Sequence, residues 1–345
     1  MEFSTTLIHW YNQNKRNLPW RRTTDPYKIW LSEVILQQTR VNQGLPYYQA
    51  FVENFPTVFD LAFAEEQKVL KLWQGLGYYS RARNLHYTAK YIVENYEGVF
   101  PTAYKELLKL KGVGSYTAAA IASFSSNEPV AVVDGNVFRV LARIFNIEYD
   151  ISKTTSKSYF FDFALALMDV KFASDFNQAI MEFGALQCIP KNPNCEMCVF
   201  NEKCEALRLN KVNELPIKLK KVAVKKRFLY YVIVEDLKGN ILVSKREKQD
   251  IWKNLYQFDL LEVDAELKPE EIEPMILNKY ENYQIESLSY LNHFDVVHKL
   301  SHQQLVIKFY HLKVNEINTA AIPLEEVKKL PFPIVLHKFI EKIVL

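Results

Sequence analysis

The sequence predicts a multidomain chain: an all-α part over residues 1–205, a basic linker over 206–227 and a smaller α+β part over 228–345. Three observations predict it. Apolar residues recur at helical spacing before the linker, as in Phe3, Leu7, Ile8 and Tyr11, and the period shortens after it. Between Arg208 and Arg227 eight Lys and Arg residues face one acid, Glu214, a local charge of +7 in a chain whose total is only +3. The 345 residues also exceed what one ordinary hydrophobic core organises.

The elements follow in order. Asp25-Pro26 places a capping acid before a proline at the first helical position, which predicts a helix through Gln38. Pro101-Thr102 starts another, ending near Lys111, and Val137, Val140, Leu141 and Ile144 mark the apolar face of a third. Beyond the linker, Phe228–Val234 and Ile241–Val243 flank a turn at residues 236–240 and predict a β-hairpin. Leu305–Val314 reads as a further strand, and Glu325–Ile343 as a closing helix interrupted at Pro331 and Pro333. No internal repeat is present.

Composition excludes whole classes. With 49% apolar and 24% charged residues the chain is globular rather than disordered. Its longest unbroken apolar run, Phe228–Val234, is far short of the ~20 residues of a membrane span. Glu2 stands where a secretory signal carries basic residues. No membrane partner is expected, and a cytoplasmic location is. The basic linker suits either nucleic-acid binding or a solvated tether.

All four cysteines, Cys188, Cys195, Cys198 and Cys204, fall in one short segment, so no distant loops are available to staple. Four thiolates close a tetrahedral zinc site or a cuboidal iron–sulfur cluster. One C-x2-C knuckle flanked by single cysteines at unequal distances suits the cluster better. Upstream, Leu110–Ala118 joins two helices through Gly112 and Gly114. Such a turn leaves amides uncovered for a phosphate, although many helix connections are glycine-rich. Asp134, in Val133-Asp134-Gly135-Asn136, is either a plain helix cap or a carboxylate at the mouth of a cleft. Glu33 shares a helical face with Ile29 and Leu36, and is either an acid among apolar neighbours or a side chain reaching past them to water. Burial would raise its pKa toward that of a general acid near neutrality. Two carboxyls in unlike environments then form an acid–base pair.

In this order, Leu18-Pro19-Trp20-Arg21, Leu31–Thr39, Gly75–Ala82, the glycine hairpin, Val133–Asn136 and the four cysteines resemble the MutY family of adenine DNA glycosylases. The resemblance is strong over residues 1–205 and weaker over 228–345. It implies an all-α helix–hairpin–helix glycosylase domain with an iron–sulfur cluster loop, followed by an α+β MutT-like, Nudix-fold domain. The hairpin and cluster spacing are shared with endonuclease III relatives. Where bifunctional relatives carry a Schiff-base lysine this chain has Tyr116, so a monofunctional N-glycosyl hydrolase of base excision repair is implied.

The resemblance further implies that adenine opposite 8-oxoguanine or guanine in double-stranded DNA is flipped from the duplex by a monomeric enzyme. Glu33 would protonate adenine N7. Asp134 would stabilise the oxocarbenium-like sugar, with Tyr116 and Asn136 in support. Leu18, Trp20, Arg21, Gln178 and Met181 match positions around the flipped base. Gln37, Gln38, Thr39, Leu76 and Tyr78 match positions at the opposite strand, and Gly112 and Gly114 the backbone contact. The cysteines would hold a 4Fe-4S cluster. Ser301 and His302 would read the lesion, with Leu300 where the family often has an aromatic. A Nudix hydrolase needs a glycine-bounded acidic helix, and no glycine follows Gly239, which argues against pyrophosphatase activity. Two rivals are a DNA-binding scaffold that has lost catalysis and a pyrimidine-lesion glycosylase. Glu33 and Asp134 argue against the first, Tyr116 and the appended domain against the second.

Overall fold

In the computed structural model, which describes residues 2–219, 223–317, 319 and 321–343, the chain folds as two units. The first is Met1–Ala64 with Arg83–Lys220, the second Glu65–Ala82 with Lys221–Leu345.

The first unit is helical throughout. Its helix Pro26–Leu36 starts as expected, with the Asp25 carboxylate accepting the Tyr27 amide at 3.0 Å and Pro26 at the first position. It stops two residues short of the expected Gln38. The Thr39 amide closes a tight turn on the Leu36 carbonyl, and Gln38 turns to φ +55. The helix expected over 101–111 is also shorter, Tyr104–Leu107. Its continuation tightens to i→i−3 bonds, Lys109 to Glu106 and Leu110 to Leu107, on the way into the Gly112 turn. Gly112 has φ +79, and a Cβ there would lie 2.9 Å from Asn84 Cβ, so glycine is required twice over.

Helices Glu2–Asn14, Gly135–Ile144, Thr154–Leu167 and Ala173–Leu186 share one core. Val137, Val140, Leu141 and Ile144 lie on its buried face, as the spacing predicts. Cys188, Cys198 and Cys204 pack against the same core.

The second unit is built on strands β1 (Lys225–Asp236), β2 (Asn240–Leu242), β3 (Ser244–Lys245), β4 (Tyr256–Gln257), β5 (Asp259–Val263), β6 (Ile285–Tyr290), β7 (Val296–Lys299), β8 (Gln303–Val314) and β9 (Ala321–Pro323). Seven form one mixed sheet in the order β6-β8-β1-β2-β9, with β5 paired to β1 and β7 to β8. β1 and β2 form the expected hairpin, Glu235 opposite Ile241. β1 and β8 run parallel, from Lys225 against Gln303 to Asp236 against Val314. Helix Pro269–Lys279 covers one face through Ile272 and Ile276, joined by Tyr280 just beyond its end. Helix Ile334–Ile340 covers the other, with Phe339 stacked on Phe309 at 4.1 Å. A strand buried on both faces reads as a continuous apolar run, which explains Phe228–Val234.

The linker is shorter and less free than its charge suggests. Helix Glu205–Arg208 opens it and β1 takes up its last three residues. Arg227 is buried in ion pairs with Glu262 and Asp250, at 2.6 and 2.7 Å, and is a structural residue rather than part of a basic tether. Arg208 pairs with Glu205 and Lys211 with Glu148, while Lys218, Lys225 and Lys226 are exposed. Lys220 and Lys221 lie outside the described residues. Residues 65–82, within the sequence of the expected helical domain, pack as part of the second unit. There Asn254 Nδ2 donates to Glu66 Oε1 at 2.6 Å, Gln67 Nε2 to the Tyr256 hydroxyl at 3.0 Å and Lys71 Nζ to the Lys328 carbonyl at 2.7 Å.

Candidate active site

A cavity of about 600 Å³ in the first unit gathers most of the predicted site. Glu33, Tyr116, Asp134 and Asn136 line it, with Leu18, Trp20, Arg21, Thr39, Gln178 and Met181. Its volume is in the range of small-molecule pockets, roughly 300–1,000 Å³.

Glu33 is 6% exposed, so the buried alternative holds. Burial pushes its carboxyl up to about 7; Asp134 adds to the rise, while a hydrogen bond with Tyr116 and the Arg21 cation oppose it. Tyr116, in the first turn of helix Ser115–Ser126, is itself driven well above its ordinary value by burial, so it stays a neutral hydroxyl.

Asp134 turns out to be both cap and cavity wall. Its Oδ1 accepts the amides of Asn136 and Val137 at 2.8 and 2.9 Å, and Oδ2 accepts Asn136 Nδ2 at 2.8 Å. Burial raises this carboxyl as well, and those three donors oppose the rise. Glu33 has the Tyr116 hydroxyl and the more distant Arg21 cation for the same purpose, so the two acids sit in unlike surroundings. The approach to Asp134 is pinned from beneath by Asn177, which is fully buried. Its Oδ1 accepts the Val132 amide at 3.0 Å and its Nδ2 donates to the Val130 carbonyl at 2.9 Å.

Arg139, one turn along the same helix, ties this corner to the cysteine segment. Its Nη2 donates to Asn136 Oδ1 at 2.8 Å and to the Gly184 carbonyl at 2.7 Å, and its Nε to the Cys188 carbonyl at 2.7 Å.

Among the cavity residues that escape a reading based on motifs are Arg16 and Glu182. Glu182 Oε1 accepts Arg16 Nε at 2.9 Å and Arg21 Nη1 at 2.8 Å; Oε2 accepts Arg16 Nη2 at 2.6 Å and Arg21 Nη2 at 2.7 Å. The signal that singles out Glu33 was present here too: one acid within Ala179–Leu186, an otherwise apolar helical stretch.

The cysteines line one small cavity with Arg143, Phe183 and Asn201. Donors are aimed at the sulfurs, Arg143 Nη1 at 3.5 Å from Cys188 Sγ and the Phe200 amide at 3.4 Å from Cys198 Sγ. Such contacts suit thiolates that carry charge. Among the described residues no group of three His, Cys, Asp or Glu side chains has the geometry of a site for a single metal ion. Burial pushes the Cys198 thiol up to about 11.

The cavity does not include every predicted residue. Gln37 donates to Thr117 Oγ1 at 3.2 Å, and Gln38 occupies the left-handed turn. Gly114 precedes helix Ser115–Ser126 with no side-chain cap, and nothing lies within 4 Å of where its Cβ would be. In the second unit Tyr78 and Ser301, predicted separately, meet through their hydroxyls. Tyr78 (φ +49) follows Gly77 (φ +75), and the Arg81 guanidinium lies 5.6 Å from its ring. Leu76 is buried, while His302 is exposed beside Ser301 in the turn between β7 and β8.

Residues 31–160 match the HhH-GPD superfamily of base excision DNA repair proteins, and residues 230–342 match a NUDIX domain. An adenine DNA glycosylase of Buchnera aphidicola subsp. Baizongia pistaciae is 34% identical over 317 residues, 92% of this chain and 87% of that protein. The chain belongs to the adenine DNA glycosylase family. The Homo sapiens adenine DNA glycosylase is 43% identical over 213 residues, 59% of this chain and 39% of its own length. The structure of a thermostable thymine-DNA glycosylase superposes with a TM-score of 0.56 at 29% identity, covering 60% of this chain and 95% of that one. An endonuclease III–DNA complex, at 20% identity and a TM-score of 0.53, shares the helical fold. As an adenine DNA glycosylase the enzyme cleaves an N-glycosyl bond, and the rival reading as a scaffold without catalysis is set aside. Among the described residues no helix is long and apolar enough to cross a membrane.

Proposed function

We propose that this adenine DNA glycosylase acts, as a monomer, on double-stranded DNA in which adenine is mispaired with 8-oxoguanine or guanine. The observation that carries the reading is a buried glutamic acid and a capped aspartate facing one cavity, with Glu33 titrating at about 7. The base enters the cavity flipped from the stack, since its N9–C1′ bond is out of reach inside the duplex. Glu33 gives its proton to adenine N7, which makes the base a good leaving group. Asp134, held by three N–H donors, stabilises the positive charge that develops on the sugar. Tyr116 and Asn136 hold the two carboxyls in place. No amine occupies position 116, so excision proceeds without a Schiff base and without strand cleavage.

The opposite base is read by the second unit, through Tyr78, Ser301 and His302. Single-turnover excision from duplexes carrying adenine opposite 8-oxoguanine, guanine, cytosine or thymine tests the whole assignment, and 8-oxoguanine should be preferred. Ser301→Ala with His302→Ala should narrow that preference by about fivefold per lost hydrogen bond, roughly 1 kcal/mol each. Equal discrimination by the variant and the parent would mean that another part of the chain reads the lesion. Deleting residues 228–345 is a poorer test, because residues 65–82 would lose the unit they fold with.

We propose that Cys188, Cys195, Cys198 and Cys204, which line one cavity, would hold a 4Fe-4S cluster. When bound, such a cluster supplies four cross-links that shape the loop carrying Lys191 and Lys203 toward phosphates. Protein made with ample iron and protected from oxygen should be brown and hold about four irons per chain. Stoichiometric zinc in that preparation would overturn the assignment.

A further inference from the structure

The Glu182 side chain is fully buried against the cavity, yet the chemistry above gives it no task. Beyond the four bonds from the guanidinium groups, its Oε1 accepts the Arg16 amide at 2.9 Å, so five N–H donors converge on two oxygens. Burial works against the charged form, but the bonds from Arg21 and then Arg16 hold the carboxyl down at about 2. Glu182 is therefore a fixed anion at every working pH. It clamps the Arg16–Arg21 segment, which also carries Leu18 and Trp20, onto the helix that carries Gln178 and Met181. The ion pair consumes Nε and Nη2 of Arg16 and Nη1 and Nη2 of Arg21, leaving Arg16 Nη1 and Arg21 Nε outside it. A second clasp reinforces the first: Tyr11, whose ring lies 5.5 Å from the Arg21 guanidinium, donates its hydroxyl to Gln178 Oε1 at 3.0 Å.

We propose that Glu182 is a positioning residue for base selection: it locks Arg16 and Arg21 into the cavity wall so that their remaining N–H donors meet the ring-nitrogen acceptors of adenine. This rests on the reading of the cavity as the adenine pocket. A wall made of arginine donors matches a purine whose free ring nitrogens, N1, N3 and N7, all accept. It disfavours guanine, whose N1 carries a hydrogen and would leave buried donors facing each other. Arg21 is the cation that bears on Glu33, whose other charged or titratable neighbours are Tyr116 and Asp134, and the Glu182 carboxylate offsets it. Glu182 thus sets both where the donors point and how strongly the cation bears on the general acid.

The test uses the full-length enzyme and a duplex with adenine opposite 8-oxoguanine. Glu182→Gln should lower the single-turnover rate on the order of 10²-fold, the scale on which a misplaced pocket acts, while affinity for the duplex is retained. Its extra uncompensated cation favours ionised Glu33, so the alkaline limb of the pH–rate profile should move to lower pH. Arg21→Gln removes the cation that bears on Glu33, so it should move that limb the other way. A role confined to folding moves neither limb. If Glu182→Gln fails to fold, the Arg21→Gln profile decides alone. A normal rate for Glu182→Gln, or limbs that stay put in the folded variants, overturns the proposal while leaving the functional reading intact. An unmodified enzyme that does not remove adenine from this duplex would instead remove the reading on which it rests.

Discussion

Glu33→Gln should abolish adenine excision and make the protein more stable at neutral pH. Glutamine keeps the shape and cannot give up a proton. General acid catalysis is worth ~10²–10⁴-fold, and the cavity offers no second acid with the same surroundings, so the loss should reach or exceed the top of that range. Binding to the mispaired duplex should survive. The stability gain follows from the raised pKa. A carboxyl that titrates at about 7 when folded, against an ordinary value of 4.5, favours folding below pH 4.5. It loses that advantage progressively as pH rises through 7. At pH 7 the accumulated penalty is on the order of 3 kcal/mol, which the glutamine variant escapes. Thermal unfolding at pH 5 and pH 8 checks the sign: the variant's advantage should be large at pH 8 and small at pH 5. The same titration shapes catalysis. Only the protonated acid can donate, so the unmodified enzyme's excision rate should fall as pH rises above about 7. Near-normal excision by the variant would remove Glu33 from its role.

Gly184→Val should cost both the fold and the reaction. A Cβ at Gly184 would lie 2.6 Å from Asn136 Cβ and 3.1 Å from its Cα and carbonyl oxygen. Two of these contacts are with backbone, which cannot swing aside as a flexible side chain can. Helix Ala173–Leu186 must back away from helix Gly135–Ile144, and overpacking of this kind costs about 3 kcal/mol at the upper end. The Arg139 bond to the Gly184 carbonyl spans the gap that opens, and the same Nη2 holds Asn136 Oδ1. Asn136 in turn supplies two of the three donors on Asp134. A shift of about 1 Å here is enough for a 10²-fold loss in rate, even in the fraction that still folds. Denaturant unfolding with single-turnover excision measures both parts. A variant as stable and as active as the parent would show that the helix contact tolerates a larger side chain than its spacing allows.

The local sequence by itself determined the elements whose causes are local. Asp25-Pro26 starts its helix because a carboxylate and a ring-locked φ act within one turn. Gly112 makes its turn because no other residue adopts φ +79 at low cost. The acid at Glu33 stood out because one carboxyl in an apolar helical face must either be buried or escape. Only the packing could decide which, because burial is a property of what lies opposite: the fold puts Tyr116 and Asp134 there. The same holds for Asp134, a cap by local geometry and a cavity wall only through the helices that meet around it. Glu182 carried the same mark as Glu33 and stayed silent, since its meaning depends on Arg16 and Arg21 more than 160 residues away. Arg227 looked like one more linker cation until β1 brought Asp250 and Glu262 alongside it. The parallel pairing of β1 with β8 and the transfer of residues 65–82 to the second unit are likewise long-range, set by which apolar faces and hydrogen-bonding groups find partners. Local chemistry named the residues able to act; distance in the folded chain decided which of them act together.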